Sequence, residues 1–225
     1  AGTPQANRGC EASDGEESSA DRERVGALGR PVWRAGSYAA PERLTEALQV
    51  GAAGVQIGTA FAYCQESGLE PELKARVLAM SQAGKAKIFT DPVASPTGFP
   101  FKIVGMPGTN SEVASYEKRT RICDLGYLRH AYKKDDGKLG WRCPSEPVDD
   151  YVRKGGNIED TRGRKCVCNG LMVNIGLGQI QRDGEHERAL ITSGDDVANV
   201  ARFLKPGANS YHAVDVIEYL LQDTK

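Results

Sequence analysis

Residues 31–59 read PVWRAGSYAAPERLTEALQVGAAGVQIGT. Two short apolar runs, 31–35 and 54–57, each end at a glycine and predict two strands. Between the runs, the apolar residues recur with the period of a helix. A strand, a helix and a second strand within about 30 residues favour a βαβ unit with parallel strands. The fold class is therefore predicted to be α/β.

The helix of this unit has recognisable start and stop signals. Pro41 stands where a helix tolerates proline, at its first position. Leu44, Ala47 and Leu48 are spaced to lie on one helical face, and Gly51 is well placed to end the helix. The pattern predicts an amphipathic helix whose apolar face packs on a core.

Further elements are predicted downstream. We expect a helix over 71–83 and strands at 87–90 and 101–104. Glycines and charged residues between 124 and 190 predict loops and short helices. Two amphipathic helices follow, with apolar stripes formed by Val197, Val200, Ala201 and Leu204 and by Val214, Ile217 and Leu221.

Composition excludes several classes of protein. The 225 residues are 40% hydrophobic, with 29 Lys and Arg against 30 Asp and Glu. No run of about 18 apolar residues and no secretory signal pattern occurs, so we expect a cytoplasmic protein without a membrane partner. A net charge of -1 argues against a nucleic-acid partner, because binding phosphates requires a basic excess. Small molecules or proteins remain as partners.

Residues 1–27 differ from the rest of the chain. Up to residue 24 they contain no Leu, Ile, Val, Phe, Trp or Tyr. Such a segment cannot bury enough apolar surface to offset the entropy lost on ordering. We expect a disordered or loosely held arm.

The first candidate site consists of two turns that follow the predicted strands, Gly36-Ser37 and Gly58-Thr59. In parallel α/β arrays, ligands bind beyond the carboxyl ends of the strands, where free backbone amides can hold a phosphate. Glycine permits close approach, and the two hydroxyls add donors. The alternative interpretation is that each glycine serves only its turn.

The second candidate is Cys166 and Cys168, which are one residue apart. They could bind a soft metal if Cys143 or Cys123 supplied further sulfur, or take part in redox chemistry. The two-residue spacer usual in metal-binding cysteine pairs is missing. Buried free thiols are the preferred interpretation, and no metal is predicted.

The histidines offer weaker candidates. His130, His186 and His212 lie in polar stretches without a metal-ligand spacing, which predicts surface positions. The charged run RHAYKKDDGK over 129–138 is interpreted as a solvated loop.

Several motifs resemble one enzyme family. PVWRAGSYAAPERL (31–44) followed by GAAGVQIGTAF (51–61) is similar to the last two βα units of the nitronate monooxygenase (2-nitropropane dioxygenase) family. Four further stretches resemble a branch of that family with a long C-terminal tail. They are IFTDPVASPTGFPFK (88–102), CDLGYLR (123–129), RCPSEPV (142–148) and GRKCVCNGL (163–171). The resemblance runs from about residue 28 to the end.

The resemblance implies an FMN enzyme that oxidises alkyl nitronates with molecular oxygen. Residues 28–84 would be the C-terminal βα units of a TIM barrel, and residues 85–225 a mixed, largely helical extension. The family's FMN phosphate rests on backbone amides that map to Gly36-Ser37 and Gly58-Thr59. The family usually has a second glycine where Ser37 stands.

Two departures from the family pattern limit what the resemblance implies. Only two of the eight strand–helix pairs precede the extension. Residues 1–9 faintly resemble the family's Gly-Gly-His-Asn segment, but Pro4 stands in place of the catalytic histidine and cannot transfer a proton. No catalytic residue is therefore predicted, and the chain is expected to be of doubtful activity alone.

Three explanations of the short barrel stay open. A second chain supplies the remaining barrel, the chain is part of a longer product, or the C-terminal region forms a compact α/β domain of its own. Two functional alternatives also stay open: an FMN-dependent enoyl-acyl-carrier-protein reductase-like enzyme, and a non-catalytic flavin-binding or assembly module.

Overall fold

The computed structural model describes residue 27, residues 29–181 and residues 184–222. The chain divides into two compact units. One contains the described residues up to Ile57 together with those from Leu220 onward, and the other consists of Gly58–Tyr219. The arm predicted over 1–27 lies outside the described residues, except for Ala27.

The first unit contains the predicted βαβ arrangement. Strands β1 (Trp33–Ala35) and β2 (Gly54–Gln56) pair in parallel, and helix α1 (Pro41–Gln49) connects them. The pairing places Arg34 opposite Val55 and Ala35 opposite Gln56. The parallel unit predicted from the sequence is confirmed.

The apolar face of α1 differs in part from its prediction. Ala47 is fully buried, as predicted, and Leu44 is half-buried. Leu48, by contrast, is 47% exposed, so the prediction was wrong there. The helical period does not account for this exposure, since Leu48 lies only about 40° around the helix from half-buried Leu44 and in the last turn of α1. Gly51 has φ 88 and follows the helix end, as expected.

The turn after β1 contains a strained residue. Gly36 and Ser37 both adopt left-handed backbone, with φ 90 and φ 57. For a residue with a Cβ, that conformation costs about 1–2 kcal/mol, whereas glycine adopts it without this penalty.

Ser37→Gly is expected to raise the free energy of unfolding by about 0.5–1 kcal/mol. The gain is smaller than the strain because glycine also raises the entropy of the unfolded chain. Urea denaturation followed by circular dichroism measures the change. Ser37→Ala is the control, since it keeps the Cβ and should bring no gain. Equal stabilisation by both variants would contradict the strain argument.

The second unit begins with helix α2 (Thr59–Ala62), followed by α3 (Pro71–Gln82). A 3₁₀ helix, η2 (Asp195–Phe203), packs against both α2 and α3. Ser81 ties α3 to η2, because its Oγ donates to the carbonyl of Ala198 at 2.9 Å and accepts from the amide of Ala201 at 3.1 Å.

The burial of η2 follows a different period from the predicted one. Val197, Val200 and Phe203 are buried, whereas Ala201 and Leu204 are half-buried. A 3₁₀ helix has three residues per turn, so residues spaced by three share a face. The prediction assumed an α-helical period, so it included Val197 and Val200 correctly but missed Phe203.

Two antiparallel hairpins lie in the second unit. β3 (Ile88–Asp91) pairs with β4 (Phe101–Val104), which confirms the two predicted strands. β5 (His130–Lys133) pairs with β6 (Leu139–Arg142), although residues 129–138 were predicted to be a loop. That prediction was wrong over β5. The turn spans residues 134–137, because the amide of Gly137 donates to the carbonyl of Lys134 at 2.9 Å, and Gly137 has φ 80. An Asp-Gly dipeptide such as Asp136-Gly137 is a strong hairpin signal.

Short helices complete the second unit. α4 (Val113–Glu117) was not predicted. Within residues 124–190, where short helices were expected, the structure has α5 (Val148–Arg153), the 3₁₀ helix η1 (Ile158–Thr161) and α6 (Val167–Val173).

The last helix, α7 (Ala213–Leu221), turns a different face to the core than predicted. Val216 and Leu220 are buried, whereas Val214, Ile217 and Leu221 are about half exposed. Both sets fit a helical period, so spacing alone could not choose between them. The predicted stripe was wrong.

The observed fold is mixed α/β. Within residues 29–181 and 184–222 the strands form three two-stranded sheets, and no closed barrel is present there. None of the helices in this described part of the chain is both long enough and apolar enough to cross a bilayer.

Candidate functional site

The two predicted phosphate-binding turns both follow parallel strands. β1 and β2 end level with each other, since Ala35 pairs with Gln56. Gly36 and Ser37 come directly after β1 and are exposed. Gly58 follows β2 after one intervening residue and precedes α2, in the second unit.

The two glycines are explained differently by the structure. Gly36 has φ 90, so the turn itself requires glycine there. Gly58 has φ -108 and ψ -59, which any residue adopts. A Cβ added to Gly58 would meet no described atom within 4 Å. Neither backbone strain nor packing therefore requires glycine at position 58.

Thr59 is held by a second segment of the same unit. Its Oγ1 accepts a hydrogen bond from the amide of Gly194 at 3.1 Å. A Cβ on Gly194 would lie only 2.6 Å from that oxygen, so glycine is needed for this approach. Because the hydroxyl acts here as acceptor, its own hydrogen can still be donated.

A second cluster was only partly anticipated. The side chains that line one largely enclosed hollow include four cysteines, namely Cys123, Cys143, Cys166 and Cys168. Apolar residues such as Leu128 supply much of the rest of the lining. The cavity volume of about 10 Å³ admits about one water-sized particle. The hollow is therefore far too small for a flavin.

The cysteines come from three segments that are joined by side-chain hydrogen bonds. Arg121 Nη1 donates to the carbonyl of Pro144 at 3.2 Å, Ser145 Oγ donates to the carbonyl of Lys165 at 2.8 Å, and Asn169 Nδ2 donates to Asp124 Oδ1 at 2.9 Å. These bonds join the loop that carries Cys123, the turn after Cys143 and the start of α6. The cysteine backbones are thus fixed relative to one another.

The thiols differ in acidity. A hydrogen bond from the Cys143 thiol, aided by the nearby Arg129 guanidinium, lowers the pKa of Cys123 to about 6. The same hydrogen bond, together with burial, raises the pKa of Cys143. Burial also raises the pKa of Cys166. Cys123 is therefore the more acidic thiol of the Cys123–Cys143 pair, and Cys143 is the donor of the hydrogen bond between them.

Two features of the sequence pointed to this cluster. The sequence placed Cys166 and Cys168 together and named Cys143 or Cys123 as a source of further sulfur. In addition, three of the stretches that resemble the nitronate monooxygenase family contain these four cysteines. The spacing of the cysteines in the sequence could not show that all four cysteines line one hollow.

The remaining candidates lie on the surface. His130, His186 and His212 are exposed, as predicted. His212 Nδ1 lies 3.0 Å from Glu66 Oε1. In the part of the chain that the structure describes, no three His, Cys, Asp or Glu side chains are grouped to hold a metal ion as they stand.

Comparison with known proteins assigns no family. No family model matches the chain, and no curated protein matches it either. The proposals below therefore depend on the residues and their geometry, together with the motif resemblance described above.

Proposed function

We propose that the chain is the C-terminal part of a nitronate monooxygenase-like, FMN-dependent oxidoreductase, with β1, α1 and β2 belonging to a TIM barrel. The observation that carries the proposal is the parallel pair of strands, each followed by a glycine at its carboxyl end: Gly36 in a left-handed turn and Gly58 at the start of α2. This is the position at which α/β proteins bind phosphate-containing ligands.

The exposure of the parallel pair supports a larger sheet. Parallel strands are normally covered on both faces. Here Trp33 is 56% exposed, and Ala35 and Gln56 are exposed as well. Further strands and helices of a barrel would cover these residues, which favours a shared barrel over an independent two-stranded sheet.

The turns supply the groups that an FMN phosphate needs. Backbone amides at Gly36-Ser37 and at Gly58-Thr59 would donate to phosphate oxygens, and the Thr59 hydroxyl would add a further donor. Gly58 is the more informative glycine, because it lies beyond the carboxyl end of β2 at the start of α2 although neither its backbone conformation nor its surroundings require glycine.

FMN, when bound, would supply the oxidation of an alkyl nitronate, with molecular oxygen as co-substrate. The part played by this chain would be to hold the phosphate end and so orient the cofactor. No residue of the chain is assigned as the catalytic base, because Pro4 stands where the family has histidine.

Gly58→Val tests the proposal. A branched side chain at this position should block the approach of the phosphate and weaken FMN binding by at least about tenfold, or about 1.4 kcal/mol. The fold should persist, because the φ of Gly58 is ordinary and no described atom would touch the new Cβ. Quenching of flavin fluorescence during titration with the full chain gives the dissociation constants.

Gly68→Val is the matched control. Gly68 is also exposed, a Cβ there would likewise meet no described atom within 4 Å, and it is not among the positive-φ glycines. Its FMN affinity should equal that of the parent. Equal affinities in all three proteins would refute the placement of the phosphate.

Turnover distinguishes the two enzymatic alternatives. Oxygen consumption with an alkyl nitronate supports the proposal, whereas oxidation of NAD(P)H with an enoyl thioester would favour the reductase-like alternative. A colourless protein that takes up no added FMN would favour the non-catalytic module.

A further inference from the structure

We propose that Cys123, Cys143, Cys166 and Cys168 form a structural zinc site. The site is separate from the proposed flavin chemistry and does not depend on it. Its role would be to fasten the Cys123 loop, the end of β6 and the start of α6 to one another.

The number and kind of side chains fit zinc. Structural Zn²⁺ is almost always tetrahedral, and four cysteines are one of its common ligand sets. All four cysteines line the same hollow, which has a volume of about 10 Å³. That space suits a single ion, whereas an iron–sulfur cluster would need more room.

The surrounding structure holds the ligand-bearing backbone in place. The amide of Cys166 donates to the Tyr116 hydroxyl at 2.7 Å, and the amide of Lys165 donates to the carbonyl of Ala94 at 2.8 Å. Tyr116 and Cys166 are both buried. Since the thiols do not converge on one point as they stand, metal binding requires their side chains to rotate about a fixed backbone.

The charge balance is also favourable. Four thiols bind Zn²⁺ as thiolates and release their protons, which leaves a site with two net negative charges. The Arg129 guanidinium would offset part of this negative charge, because its Nη2 donates to the carbonyl of Cys123 at 2.8 Å and so lies beside the site. On metal binding, the hydrogen bond from Cys143 to Cys123 would be replaced by two sulfur–zinc bonds.

Elemental analysis and native mass spectrometry of the full chain test the proposal. Protein expressed in zinc-supplemented medium and purified without chelators should retain about one zinc per chain. Cys168→Ser should reduce this to well below stoichiometric, since it removes one ligand that is only half-buried. Cys64→Ser is the matched control and should retain the zinc, because Cys64 does not line the hollow and its thiol donates to the carbonyl of Phe61.

Cobalt substitution tests the ligands without a variant. The unmodified chain loaded with Co²⁺ should show the absorption of tetrahedral thiolate coordination, and Zn²⁺ should displace it. Three results would overturn the proposal: a metal-free chain whose four thiols stay reactive after zinc is added, a Cys123–Cys143 disulfide in the freshly purified protein, or iron bound together with sulfide. FMN binding can persist or fail independently of each of these results.

Discussion

Glu187→Ala is expected to lower the free energy of unfolding by about 3–5 kcal/mol. The Arg119 guanidinium and the Glu187 carboxylate form an ion pair whose side chains are only 6% and 1% exposed. Arg119 Nε lies 2.8 Å and 2.7 Å from the two carboxylate oxygens, and Asn110 Nδ2 donates to Oε1 at 2.7 Å. Removing the carboxylate would leave the positive charge of Arg119 buried and uncompensated, which is the reason for the large loss.

Urea denaturation at neutral pH, followed by circular dichroism, measures this loss. The control is Asp150→Ala, which removes the acidic partner of Arg153. That pair is 72% exposed at the arginine and 38% exposed at the aspartate, so the variant should change stability by less than about 1 kcal/mol. A loss of under about 1 kcal/mol for Glu187→Ala would show that the buried pair contributes no more than a surface pair.

Local signals in the sequence were sufficient for the βαβ unit. Pro41 at the start of α1, Gly51 after its end and the short apolar runs at β1 and β2 are all close in sequence. Each element could therefore be predicted from its own residues. The hairpin of β5 and β6 was missed because its charged residues suggested a loop. The Asp136-Gly137 dipeptide is a common hairpin-turn signal and could have indicated it.

The faces of the helices could be predicted only in part. In η2 the buried residues recur every three positions, because the segment is a 3₁₀ helix and not an α-helix. In α7, two apolar sets compete for the core, and the neighbouring elements decide which set is buried. Periodicity shows that a helix is amphipathic, but tertiary packing chooses the orientation when apolar residues lie on both sides.

The two candidate sites differ in how much of each could be predicted from the sequence. The two proposed phosphate-binding segments follow strands at short range, so their positions after β1 and β2 could be predicted from local sequence. The cysteine hollow depends on contacts between segments that are far apart in the chain, such as the bond from Asn169 to Asp124. Long-range packing of this kind leaves no fixed spacing in the sequence, and Cys123 could not be chosen over other cysteines.

Leu190→Ala is expected to lower the free energy of unfolding by about 2–5 kcal/mol. Leu190 is fully buried in a cluster with Ala94, Ile103 and Val167. Its Cβ lies only 2.6 Å from the position that a Cβ on Gly170 would occupy. The backbone of α6 thus packs directly on this residue, and removing the rest of the leucine side chain would open a cavity among atoms that have little freedom to close it.

The same urea measurement tests this variant, with Leu139→Ala as control. Leu139 is 60% exposed, so its truncation should cost less than about 1 kcal/mol. The backbone bonds of Leu190, in which its amide donates to the carbonyl of Gly170 at 2.9 Å and its carbonyl accepts from Asn174 Nδ2 at 3.1 Å, survive the substitution. The predicted loss therefore comes from packing, and two variants of equal stability would mean that this cluster is not the core of the second unit.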